Sequence, residues 1–138
     1  MIYLDSCVLI YAVEDQSNRG ETVRAALAQA LEPLATSPLV LNECLVGVLE
    51  DGNLELRDRY LALHDGMQNV ALDTDVFVRA AELRAQSGLR TPDALHLAAA
   101  QLSGCTALWT NDRRLAAASH GLAIDIIGGD AGRPNGSE

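Results

Sequence analysis

There is no lysine in this 138-residue chain; all ten basic side chains are arginines. That excludes chemistry needing a catalytic amine, because a guanidinium stays protonated and cannot act as a nucleophile or form a Schiff base. Cysteine is scarce as well, and Cys7, Cys44 and Cys105 are an odd number, far apart and each in an apolar segment. No pair has the short spacing of a zinc knuckle or a redox site, so they read as small buried hydrophobes in a reduced, cytoplasmic compartment. No apolar run is long enough to cross a bilayer, and the first residues lack a basic stretch followed by a cleavage site. Aromatics make up 4% of the chain, and Tyr3 and Trp109, lying in apolar strands, read as core rather than exposed platforms. Positive charge is in deficit too. A net charge of -9 argues against nonspecific binding of polyanions, so any nucleic-acid contact must be local.

What is present is a pattern of alternating strands and helices. The length and a hydrophobic content of 49% fit one compact domain. Met1 to Leu4 reads as a strand buried on both faces, and Ser6 as the N-cap of a helix over 7–13. A polar loop over 14–20 precedes a helix from Glu21 whose buried stripe comprises Val23, Ala26, Leu27, Ala30 and Leu31. Residues 34–37 form a second strand, and Pro38 opens an almost wholly apolar helix reaching about Glu50. Asn53 caps the next helix, and the two form a hairpin. Residues 69–73 read as a third strand, followed by a helix over 76–86. Thr91-Pro92-Asp93 reads as N-cap, first-turn proline and an acid near the helix dipole, opening a helix whose alanines suit close packing on a sheet. Residues 107–110 and 122–127 are the fourth and fifth strands, separated by a short helix over 113–119. The segment 128–138, rich in Gly and polar residues, reads as a disordered tail. Strand–helix alternation implies an α/β fold with a mainly parallel sheet.

Asp5 anchors the functional reading, because it stands at the carboxyl end of the first strand, the edge where open α/β sheets place their ligands. Glu43, Asp93 and Asp112 are the acids that can return to meet it. Singly, each has an ordinary role in capping or dipole interaction, and Glu50 is an alternative to Glu43. Jointly they point elsewhere. Asp5 and Asp112 each follow a strand, and Asp93 opens the helix leading into the strand before Asp112. Gathered carboxylates raise one another's pKa, and a divalent cation resolves the repulsion. Oxygen ligands without clustered His or Cys favour Mg²⁺ or Mn²⁺, and the chemistry implied is metal-assisted phosphodiester hydrolysis. His96 lies one turn beyond Asp93 and reads as a packed, hydrogen-bonded core residue. Arg113 and Arg114, directly after Asp112, are equally readable as phosphate contacts or as a solvated helix start.

Asp5-Ser6 after the first strand, Glu43 in its apolar helix, Thr91-Pro92-Asp93-Ala94-Leu95-His96-Leu97-Ala98 and Thr110-Asn111-Asp112 together resemble the acidic motifs of PIN-domain ribonucleases, in particular the VapC-like toxins of VapBC toxin–antitoxin pairs. The resemblance covers residues 1–127. It implies a three-layer α/β/α domain with sheet order 3-2-1-4-5, and a Mg²⁺-dependent endoribonuclease, Mn²⁺ being a possible substitute. It implies an RNA substrate, an antitoxin that blocks the site and a homodimer, with no membrane partner. It makes Asp5, Glu43, Asp93 and Asp112 the catalytic, metal-holding acids, supported by hydrogen bonds from Ser6 and Thr110. Two rivals stand beside it. One is a noncatalytic interaction module on the same scaffold, which intact acids argue against. The other is a phosphoryl-accepting doubly wound domain, which normally needs a lysine beside its aspartate.

Overall fold

The computed structural model describes residues 1–128. Five short strands, β1 (Ile2–Leu4), β2 (Leu34–Thr36), β3 (Gln68–Asn69), β4 (Ala107–Trp109) and β5 (Ala123–Ile124), form one sheet of order β3-β2-β1-β4-β5 in which every pair is parallel. This is the expected three-layer α/β/α architecture. Its layering follows from handedness. The chain steps outward from β1 through β2 to β3, returns across the sheet to β4 and continues to β5. Right-handed crossovers therefore put the first four helices on one face and the later ones on the other. On the first face α1 (Ser6–Glu14) packs against α2 (Asn18–Gln29) and α3 (Pro38–Glu50), and α3 against α4 (Leu54–Asp65). On the second, α6 (Thr91–Leu102) packs against α5 (Thr74–Ser87) and α7 (Arg113–Ala118).

β1 is central because it can be: Ile2, Tyr3 and Leu4 are all buried, as befits a strand covered on both faces. α6 is the other buried element, with Ala94 through Ala100 all buried. Its alanines let the helix axis approach α5 and β4 closely. Cys44 and Cys105 are buried, Cys7 is half-buried, and all three thiols are free, as expected of small hydrophobes. Among the described residues no helix is long and apolar enough to cross a membrane.

Several boundaries differ from the sequence reading. The cap of α1 is Asp5, whose side chain accepts from the Ser6 N–H, and Ser6 is already helical. The loop over 14–20 is shorter than expected because Ser17 caps α2, which starts at Asn18. Leu31 is not on a buried stripe: α2 ends at Gln29 and Leu31 is fully exposed. Thr91 is the first helical residue of α6, Arg90 holds the cap position, and no side chain caps that end. β3 covers Gln68–Asn69 rather than 69–73, since Asp73 caps Val76 and draws the chain out of the sheet into α5. β5 stops at Ile124 because the Asp125 carboxylate accepts from Ile127 N–H and Gly128 N–H, closing a turn where the strand was expected to continue. Of the tail expected over 128–138, residues 129–138 lie outside the described residues.

Candidate active site at the carboxyl edge of the sheet

The order in which strands are added reverses between β1 and β4, all strands remaining parallel, so the crevice above their carboxyl ends is the topological switch point. Asp5 lies at that point. Its backbone N–H donates to the Trp109 carbonyl at 3.0 Å, extending the β1–β4 ladder by one residue. The residue is 8% exposed, and its carboxylate is held at both oxygens, Oδ1 by the Ser6 N–H at 2.7 Å and Oδ2 by the Thr110 hydroxyl at 2.6 Å. Thr110 Oγ1 in turn accepts from the Asp112 N–H at 3.1 Å, linking the ends of the two central strands. Each Asp5 oxygen keeps lone-pair capacity beyond these bonds.

Glu43 reaches the same place from the middle of α3. Its Oε1 is 2.7 Å from His96 Nε2, which is 3.8 Å from Asp5 Oδ1. One ligand atom each from Asp5, Glu43 and His96 therefore falls within 4.8 Å of the others. Burial pushes the Glu43 pKa up. The His96 hydrogen bond and charge, the Ser6 hydroxyl and Arg90 more than reverse this, and the carboxyl sits below its ordinary value. Glu50, the alternative acid, is exposed at the end of α3, away from this cluster.

Asp93 projects from the first turn of α6 and donor Arg90 Nε bonds its Oδ2 at 3.1 Å. Its carboxyl is raised above the ordinary value by burial and by the charges of Asp112 and Asp5, against the opposing pull of Arg90. The Asp112 N–H bond to Thr110 Oγ1, itself bonded to Asp5, ties Asp112 to the same edge, and Asp93 lies near enough to feel both charges. The close cluster of ligand atoms, however, comprises Asp5, Glu43 and His96, without Asp93 or Asp112. Asp112 also caps α7, accepting from the N–H groups of Arg114 and Leu115. The ordinary capping role and a place at the site coexist in this one residue.

Sequence reasoning underweighted His96 and missed Tyr3 and Ser37. His96 is packed and hydrogen-bonded as expected, with 1% exposure, but one of its partners is Glu43. The other is the Tyr3 hydroxyl, 2.8 Å from Nδ1, and Tyr3 is 2.7 Å from Ser37 Oγ. An ionised Glu43 only accepts hydrogen bonds, so Nε2 carries a proton whichever way the Tyr3 hydroxyl points. In the metal-free protein His96 Nε2 thus donates to Glu43, with Asp5 Oδ1 3.8 Å away. Tyr3 was findable: it is two residues before Asp5, and alternate residues of a strand share a face. Ser37 follows β2, whose register with β1 pairs Tyr3 with Ala35 and so brings residue 37 abreast of Asp5. Cys7 is no rival nucleophile, since burial and then the nearby Asp5 charge push its thiol up to about 12.

A family model described as the PIN domain matches residues 2–121. The chain belongs to the PIN domain family. The resemblance read from the acidic motifs is borne out, and solved structures of PIN-like toxins share the fold. A toxin–antitoxin complex from Klebsiella pneumoniae superposes with a TM-score of 0.75 at 22% identity, covering 91% of this chain and 98% of that one. VapC20 of Mycobacterium tuberculosis, described as a sarcin–ricin loop cleaving toxin, gives 0.75 at 17% identity over 86% of this chain and 95% of that one. FitAcB from Neisseria gonorrhoeae gives 0.72 at 21% identity over 91% and 98%. No curated protein sequence matches significantly.

The donor chemistry of this PIN domain suits a divalent cation. Its edge brings the Asp5 and Glu43 carboxylates into one cluster, and burial first, then the Asp112 and Asp5 charges, raise the nearby Asp93 carboxyl. These are hard oxygen donors, the kind Mg²⁺ and Mn²⁺ prefer.

Proposed function

We propose that this PIN domain is a Mg²⁺-dependent endoribonuclease, with Mn²⁺ a substitute, that hydrolyses RNA phosphodiester bonds as the toxin of a toxin–antitoxin pair. The observation that carries the reading is the convergence of Asp5 and Glu43 about His96 at the switch point, with Asp93 and Asp112 on the same edge. Asp5, Glu43, Asp93 and Asp112 are the residues that would hold the metal. When bound, the ion supplies charge neutralisation for the phosphate and activation of the attacking water.

The chain's own residues do the rest. Thr110 and the Ser6 backbone fix the Asp5 carboxylate at both oxygens, so it enters the reaction without reorganising. The Ser37–Tyr3–His96 chain aims an N–H at Glu43 and keeps it ionised and oriented. An acid so held remains an acceptor at neutral pH, which is the state that a metal ligand or a water-orienting base requires.

Support for RNA comes from the description of VapC20 as cleaving the sarcin–ricin loop. Support for an antitoxin comes from the neighbours solved as toxin–antitoxin assemblies. A homodimer and a cytoplasmic location complete the proposal. The test is cleavage of total RNA by purified protein with Mn²⁺ or Mg²⁺. Activity should vanish with EDTA and fall by about three orders of magnitude or more in Asp5→Asn, in line with loss of an electrostatic group made for the transition state. Cleavage that persists in both cases removes the acids from the mechanism.

A further inference from the structure

The two adjacent arginines after Asp112 diverge. Arg114 lines a cavity of about 340 Å³ with Ser87, Gly88 and Ala117. Arg113 lines a different one, of about 410 Å³, together with Arg19, Asn111, Asp125 and Ile127. Asn111 and Arg113 are the chain neighbours of Asp112, so the lining of this second cavity flanks one of the four acids in sequence. Arg19 arrives from the start of α2 and is pre-positioned: its guanidinium lies over the Tyr11 ring, 5.0 Å from the centroid, and Nη1 donates to the Tyr11 hydroxyl at 3.1 Å. Its other N–H groups remain available to a ligand. Among the described residues neither Arg19 nor Arg113 is in a salt bridge, a property they share with Arg24, Arg59, Arg84 and Arg114, whereas Arg57, Arg79 and Arg90 are paired. Asp125 is the one acid in the wall, and its Oδ1 is committed to the Ile127 and Gly128 N–H groups. Two guanidiniums against one carboxylate give the lining itself an excess of positive charge in a chain of net charge -9, with Asp15, whose carboxyl feels Arg19, and Asp112, next to Arg113, outside that lining.

We infer that the Arg19–Arg113 cavity binds a backbone phosphate of the nucleic-acid strand adjacent to the phosphate held at the acids. Planar guanidinium forks match phosphate oxygens, and a strand with one phosphate at the acids carries the next past this cavity. The site also answers how so acidic a protein holds a polyanion: the positive charge is concentrated where it is used. The inference rests on the nuclease reading of the acid site.

The test is binding of a short, labelled, mixed-sequence single-stranded RNA to the Asp93→Asn protein, followed by fluorescence anisotropy across a salt series. Arg19→Ala and Arg113→Ala should each weaken binding about tenfold and flatten the log K against log salt slope by roughly 0.7. Arg19→Lys and Arg113→Lys should restore the slope, which separates charge from any loss of packing on Tyr11. Arg114→Ala should leave it unchanged. Unchanged slopes in both alanine variants overturn the inference, as does an equal fall in Arg114→Ala, which would indicate diffuse surface charge. Displacement of the RNA by low concentrations of inorganic phosphate would make this a free-anion site and overturn it too. Wild-type cleavage, assayed separately, keeps the readings apart. Cleavage with unaltered arginine variants sinks the cavity alone, and altered slopes without cleavage sink the nuclease alone.

Discussion

At the scale of single residues, the site is a set of charges with opposite relations to the fold. Asp93 has a folded pKa above its ordinary 3.8, through burial and the charges of Asp112 and Asp5. The native state therefore binds its proton more readily than the unfolded chain, and stability falls as pH rises through that window. At neutral pH the ionised Asp93 opposes folding of the metal-free protein. Asp93→Asn should raise the melting temperature in EDTA while abolishing any gain from Mn²⁺. A lower melting temperature in EDTA would show that the Arg90 pair outweighs the repulsion. Glu43 has the other sign. Its pKa lies below 4.5 because the His96 bond, the His96 charge, Ser6 and Arg90 overcome the burial penalty. Its contribution is present above pH 4.5 and is lost as pH falls through the lowered value. Glu43→Gln should therefore destabilise at neutral pH, and its deficit against wild type should close in acid, measured by thermal unfolding across a pH series.

At the scale of elements, the α1–α2 corner depends on one glycine. Gly20 is buried in the first turns of α2, and a Cβ there would sit 1.8 Å from the Asp15 carbonyl oxygen, a backbone atom that cannot step aside. The close approach lets Arg24 reach back and donate to the Ala12 and Asp15 carbonyls, 3.1 and 2.9 Å away, satisfying acceptors at the end of α1. Gly20→Ala should cost about 3 kcal/mol or more in denaturant unfolding, beyond the usual overpacking penalty because the clash is with main chain. A neutral effect would mean that the corner relaxes. None of this was legible beforehand. The segment 14–20 carries turn residues and no periodicity, so its composition says loop, whereas Ser17 starts a helix there. The opposite holds for α6: Pro92 near its start and an unbroken apolar run define a buried helix in almost any context, and the observed burial of Ala94–Ala100 follows. The strand ends were misplaced for a third reason. Asp73 and Asp125 use their side chains on nearby backbone N–H groups, and such local bonds compete with the ladder on terms that strand propensity does not record.

At the scale of the whole molecule, the metal-free protein holds gathered carboxylates together against their repulsion, so a cation that binds only the folded state should stabilise it by mass action. At a Mn²⁺ concentration about a hundredfold above Kd the gain is about 2.7 kcal/mol, readable as a rise in melting temperature that disappears in Asp5→Asn. A Mn²⁺ response equal in the variant would place the ion elsewhere. The acids were legible by type and order, because an acid after a strand and an acid opening a buried helix are patterns written along the chain. So were the alternation of strands and helices and the parallel sheet it implies, since hydrophobic periodicity and capping residues are local properties. What only the tertiary structure decided was company. Whether Glu43 or Glu50 turns inward, that His96 donates to Glu43 and rests on Tyr3 and Ser37, and that Arg113 faces Arg19 while Arg114 faces away, all depend on contacts between segments distant in sequence. Those contacts are set by the sheet order and the packing of its two helical layers, and no stretch of the chain encodes them alone.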